Sequence, residues 1–236
     1  MSNSSGIGLT SALLVLAAAA SCLASAGRSY SPQNERAYAE YAAGVYAEAG
    51  KENEFALQHY RRAASGLPQS ATVAARLGAM YLQANSPQEA QRYFVRASDL
   101  APEDMELKVH AAQACTLAGS PRKGIKYLEE VLRKETSWSD GYRQVAELYK
   151  RLGMWASAAD AYSRLAQVPG MQPVAYERLG DLYLDLGRRH ARSRWFYRQM
   201  LSFRQALRWF DEIGSSAPGL QSVLLGRAKC YYGTFQ

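Results

Sequence analysis

Cysteine and histidine are scarce in this chain, three of each among 236 residues. Cys22, Cys115 and Cys230 are too few for the disulfide framework of a small secreted scaffold. His59, His110 and His190 stand far apart, none beside a second ligand at metal-binding spacing, so no metal is expected. Glycine-rich phosphate loops and the G-x-S-x-G elbow are absent. One S-x-x-K string occurs, Ser120-Pro121-Arg122-Lys123, but without S-D-N or K-T-G companions it reads as coincidence. Beyond the N-terminus no apolar run approaches the roughly 20 residues that cross a bilayer. Gly/Ser-rich linkers are missing too, so one elongated domain is expected. Together these absences argue against an enzyme: no catalytic residue, cofactor or metal is expected.

What is present starts with an apolar, uncharged leader. Residues 7–20 have the length of a signal-peptide core, and Ala24-Ser25-Ala26 offers an A-x-A cleavage site before Gly27. The segment before it carries no Lys or Arg, which departs from the usual pattern. A weak lipobox, Ala19-Ala20-Ser21, precedes Cys22, which makes lipidation there a second expectation and an uncleaved anchor a third. Residues 1–26 are thus expected to export or anchor the chain, to a periplasmic, secreted or membrane-bound location rather than the cytoplasm. A short linker is expected over 27–36. The whole chain is 48 % hydrophobic with a net charge of +7, which suits a folded protein.

A period of thirty-four residues organises the rest. With Ala71 as position one, Leu77 and Gly78 fall at seven and eight, Tyr81 at eleven, Ala90 at twenty, Phe94 at twenty-four, Ala97 at twenty-seven and Pro102 at thirty-two. Small residues at eight and twenty suit two helices that cross closely, and large apolar ones at seven, eleven and twenty-four fill the space between neighbours. The proline stops the second helix. A first repeat from Ala37 carries Gly44, Ala56, Tyr60, Ala63 and Pro68 in register, with Ala47 at eleven beside Tyr46. The third, Met105 to Trp138, keeps Ala112 and Leu128 but has Cys115 for the aromatic, Gly124 for Ala and Thr136 for Pro. The fourth, from Ser139, aligns Tyr142, Ala146, Tyr149, Gly153, Ala158, Tyr162 and Leu165; the fifth, from Pro173, aligns Tyr176, Leu179, Gly180, Tyr183 and Gly187.

This spelling resembles the tetratricopeptide repeat (TPR), a helix–turn–helix unit. The resemblance implies an all-α fold, a right-handed superhelical solenoid of antiparallel helix pairs, with five repeats and a terminal helix carrying Leu224, Ala228 and Tyr231. It also implies the function: a scaffold or adaptor that binds a peptide or helix of another protein in its concave groove. Cys115 and Cys230 fall three repeats apart, beyond a disulfide's Cα reach of roughly 7 Å, and read as packed apolar residues.

The groove of such proteins is lined by positions two, five, nine, twelve and thirteen. Here these include Tyr38, Tyr41, Val45 and Glu48 in the first repeat, Leu82 and Gln83 in the second, and Gln113 in the third. The fourth contributes Arg143, Glu147, Lys150 and Arg151, and the fifth Glu177, Asp181, Leu184 and Asp185. The first half is aromatic and apolar and the second charged with mixed signs, which suits a ligand with one apolar and one polar end. The co-chaperone members of the family grip a carboxylate with Lys at five and Asn at nine. Tyr41, Val45, Ala75 and Ala79 hold those places here, which argues against such a clamp.

Past Gly187 the register breaks, and fourteen residues later it resumes with Ala206, Phe210, Ile213 and Pro218. Residues 189–202 therefore read as an insertion in the turn between the fifth repeat's helices, a merged helix being the alternative. Arg189, Arg192, Arg194, Trp195 and Arg198 make it basic and aromatic, fit for an anionic membrane or protein surface. Nucleic acid is disfavoured, since an exported protein seldom meets it.

Overall fold

The computed structural model of the protein describes residues 32–192, 196–216, 226, 227 and 229. The expected leader with Cys22, and Cys230, lie outside them. Among the described residues there are ten α-helices and no strand. In chain order they are α1 (Pro32–Ala49), α2 (Asn53–Gly66), α3 (Ala71–Gln83), α4 (Pro87–Leu100) and α5 (Met105–Leu117). Then follow α6 (Pro121–Lys134), α7 (Ser139–Arg151), α8 (Trp155–Leu165), α9 (Gln172–Arg192) and α10 (Phe196–Ser216). The chain divides into two compact bodies, Met1–Gly124 and Ile125–Gln236. The division falls inside α6, in the repeat that departs furthest from the pattern. In the N-terminal body each helix from α1 to α5 packs on the next, and in the C-terminal body α7 to α10 do the same.

Residues 32–36, expected as linker, are the first turns of α1. Pro32 suits a helix start because its missing N–H would have no intrahelical partner there, and Glu35 meets the positive end of the helix dipole. Ser70 and Asp104 cap α3 and α5, accepting from the N–H groups of Val73 and Leu107.

Small residues at the crossings let the helices touch. A Cβ added to Gly44 would lie 2.7 Å from the Tyr60 ring, and one added to Gly78 the same distance from Phe94. Gly180 would collide with Phe210 in the same way. In all five repeats the residues at positions eight, twenty, twenty-four and twenty-seven are buried. The third repeat substitutes smaller groups: Cys115 and Leu128 are buried, and Gly124 approaches the backbone of Ala112. Burial pushes the Cys115 thiol above its ordinary pKa, as expected of a packed apolar residue. At the shifted turn of the first repeat, Ala47 is buried and Tyr46 is 78 % exposed.

Every first helix but the last ends in one geometry. Lys51, Asn85, Gly119 and Gly153, all at position fifteen, have φ of 61°, 53°, 78° and 72°. In each, the N–H of position sixteen donates to the carbonyl of position eleven: Glu52 to Ala47, Ser86 to Tyr81, Ser120 to Cys115 and Met154 to Tyr149. This is the Schellman closure, which satisfies carbonyls that the helix leaves unpaired. Gly187 occupies the same position in the fifth repeat, but α9 runs straight through it to Arg192.

The described part of the extra segment, 189–192 and 196–202, is helical rather than looped. It belongs to the two helices of the last pair, each 21 residues long against 13 and 14 in the second repeat. It does not merge the pair into one helix. Gly180 and Phe210 are 30 residues apart, whereas Gly78 and Phe94 are 16 apart, and 30 − 16 = 14 restores the common crossing. On the added turn of α9, Arg189 lies over the Trp155 ring at 5.6 Å. Arg192 and Arg198 fall within α9 and α10, but their side chains, like all of Arg194 and Trp195, lie outside the described residues.

Candidate functional site

In the N-terminal body the expected groove residues are partly absorbed into packing. Tyr41 is half-buried with its ring 5.7 Å from that of Tyr60. Glu48 accepts a hydrogen bond of 2.6 Å from the Tyr60 hydroxyl and faces Arg76 at 3.3 Å. Burial, and then the Glu48 carboxylate, raise the Tyr60 phenol far above its ordinary value, so this network stays fixed at neutral pH. Tyr38, Val45 and Leu82 are half-buried, and Gln83 and Gln113 are exposed.

The C-terminal body has a cleft of about 220 Å³. Of the residues expected in the groove it brings together Glu147 and Lys150 from α7 with Asp181, Leu184 and Asp185 from α9. Leu184, expected to face the groove, has only 3 % exposure and belongs to the core with Ala206, Phe210 and Ile213. Arg143, Arg151 and Glu177 do not line the cleft. Arg143 is exposed and pairs with Asp140, while Arg151 lies 3.9 Å from Glu147.

Inside the cleft the charges are interlocked. The Lys150 ammonium lies 2.9 Å from Glu147 and 4.0 Å from Asp185, and Arg188 also reaches Asp185 at 4.0 Å. Burial disfavours the Lys150 charge, but the Glu147 hydrogen bond and carboxylate outweigh it and raise the pKa. Asp181 is exposed, and partial desolvation and then Glu177 hold its carboxyl above the usual range, with Arg178 and Lys229 opposing.

Tyr162, Arg178, Leu182, Arg188 and Lys229 complete the lining without having been expected there. One of them left a signal in the sequence. Lys229 falls at position nine of the terminal helix, counted from Leu224 at four. Arg188 would lie in a turn in a regular repeat and reaches the cleft only because α9 continues past Gly187. Tyr162 reads as core because position twenty-four is core in every repeat, and the sequence does not reveal that its hydroxyl meets the cleft.

No protein-family model matches the chain. The solved structure of MamA is similar over 79 % of this chain and 98 % of that one, with a TM-score of 0.57 and 19 % identity. YrrB, described as a TPR protein with an unusual peptide-binding site, is similar over 80 % of this chain and 90 % of its own, at TM-score 0.57 and 16 % identity. A TPR repeats protein from Bacteroides fragilis is similar over 83 % and 98 %, at TM-score 0.51 and 15 % identity. By sequence, 128 residues are 26 % identical to the human protein O-mannosyl-transferase TMTC1, which is 54 % of this chain and 14 % of that protein. The chain thus spans a small fraction of that relative's length. The fold is that of the tetratricopeptide repeat.

Proposed function

We propose that the chain is a non-catalytic scaffold that holds a peptide or helix of another protein against the first helices of its repeats. The observation that carries this reading is the cleft of the C-terminal body. Its charged side chains at positions nine, twelve and thirteen stand apart from the repeat core. A preformed surface of this kind loses little ordering entropy when it binds. YrrB, with the same fold, has a peptide-binding site, which supports the reading. The transferase activity of TMTC1 belongs to a protein of which the match covers 14 %, and it is not carried over. A photo-crosslinking residue at Gln113 or Glu147, on first helices, is expected to trap the partner in cells. The same residue at Gln88 or Asp160, on second helices, is not. Equal trapping from both sets would refute the reading.

The lengthened last pair supports a second reading, an assembly protein that contacts anionic membrane or envelope surfaces through 189–202. No helix of the described residues is long and apolar enough to cross a membrane. Glutamate at Arg192, Arg194 and Arg198 is then expected to abolish sedimentation with anionic liposomes while leaving partner crosslinking intact. Export by residues 1–26 belongs to both readings, and the mass of the exported chain separates cleavage before Gly27 from lipidation at Cys22.

A further inference from the structure

The outer side of α1 is open where the later first helices are covered. Tyr46, at position ten of the first repeat, is 78 % exposed. Its counterparts Met80, Ala114, Leu148 and Leu182 are 3 %, 0 %, 6 % and 2 % exposed. Position three repeats the contrast, with Ala39 exposed but Val73 and Ala175 buried. In the later repeats the second helix of one unit packs on the first helix of the next, as α2 does on α3 and α4 on α5. Among the described residues no helix precedes α1.

Glu35, Ala39, Ala42, Tyr46 and Ala49 recur at i, i+4, i+7, i+11 and i+14, one stripe along α1. The stripe's one charge, Glu35, stands near its start, and Lys51 follows just past its end. Both are exposed, and neither has an ion pair among the described residues. Sixteen residues separate them, roughly 24 Å of helix, so they do not pair within one chain. An antiparallel second copy of α1, crossing at Ala43 midway between them, brings each Glu35 to the Lys51 of the other copy. Ala42 and Ala43 at that crossing are small enough for close approach.

We propose that this face of α1 joins two copies of the chain, with Tyr46 as the apolar anchor and a Glu35–Lys51 ion pair at each end. Two-fold symmetry selects a second copy, because it supplies the opposite charge at both ends at once. Cleavage before Gly27 would leave five residues ahead of Pro32, too few for a covering helix of the chain's own. None of these residues belongs to the expected groove, so the inference stands apart from the groove reading. A single helix face lies at the low end of the roughly 1,200–2,000 Å² that stable interfaces bury, so exchange between monomer and dimer is expected.

The test is sedimentation equilibrium of the full chain as recovered from cells, over a series of concentrations, with its mass recording whether the leader is present. A reversible monomer–dimer equilibrium is expected. Tyr46→Glu is expected to weaken dimerisation about tenfold or more. Glu35→Lys and Lys51→Glu are each expected to weaken it about threefold, because like charges then meet at both ends. The double variant Glu35→Lys/Lys51→Glu is expected to restore it to within about twofold, which loss of a merely structural contact would not do. All three side chains are exposed, and an unchanged melting temperature checks that the variants fold. A monomer at every concentration, dimerisation indifferent to Tyr46→Glu, or a double variant no stronger than the single ones would each overturn the proposal. A monomer that retains residues 1–26 would overturn it in favour of the leader as the cover of this face.

Discussion

Lys51, Asn85, Gly119 and Gly153 have one task, the left-handed residue that closes a first helix, and they are not equally suited to it. A side chain with a Cβ in that region carries a steric cost, of which Asn escapes part and Gly all. Lys51→Gly is therefore expected to stabilise the first repeat by roughly 0.5–1 kcal/mol, and Gly153→Ala to destabilise the fourth by about 1 kcal/mol. Midpoints of urea denaturation measure both. Titration gives a second prediction at this scale. Asp181 has a folded pKa above its unfolded value, so the folded chain binds the extra proton, and stability falls as pH rises across that interval. Asp181→Asn is expected to raise the melting temperature at pH 7, with the gain vanishing below the ordinary aspartate value of about 3.9. Glu40 runs the other way. Its hydrogen bond to His59 at 2.7 Å lowers its pKa, so its contribution is present near neutrality and lost as the solution is acidified through the folded value.

At the scale of the helix pair, the unit of construction is a glycine on one helix under an aromatic ring on the next. Val at Gly78 would place its branches in the Phe94 ring, and a loss of about 1–3 kcal/mol or more is expected from overpacking, read by thermal denaturation. The fifth repeat keeps this crossing while its helices take in 189–192 and 196–202. Deletion of 189–202 is therefore expected to leave a folded chain in which Gly187 takes the left-handed closure that its four counterparts already have. Helicity would fall by the deleted residues while the melting transition stays cooperative. Loss of cooperative melting would show that the lengthened turns carry the last pair's stability.

Within each body the contacts between helices run from one helix to the next in sequence, from α1 to α5 and from α7 to α10, so an injury should stay local. Tyr60→Ala empties a fully buried site, at a cost of about 3–5 kcal/mol. Faster hydrogen exchange is expected in α1 to α3, with α9 and α10 unchanged. Uniform loss of protection in all ten helices would instead mark a single cooperative unit.

Much of this was legible in advance because each repeat states its packing needs locally. Gly44, Ala56 and Tyr60 sit within a short stretch, and their sizes and spacing are enough to define two crossing helices. The same grid recovered Phe210 across the break, since only a fourteen-residue offset brings it over Gly180. Composition and period alone thus determined the helices, their pairing and the register of the core. Tertiary structure alone decided whether Gly187 would turn or continue, because a lone glycine permits both and the packing of Arg189 on Trp155 is remote in sequence. It also decided that Leu184 faces inward and that the Tyr162 hydroxyl, Asp181 and Lys229 share one cleft. Those placements depend on where segments remote in sequence come together, and no local pattern of residues encodes that.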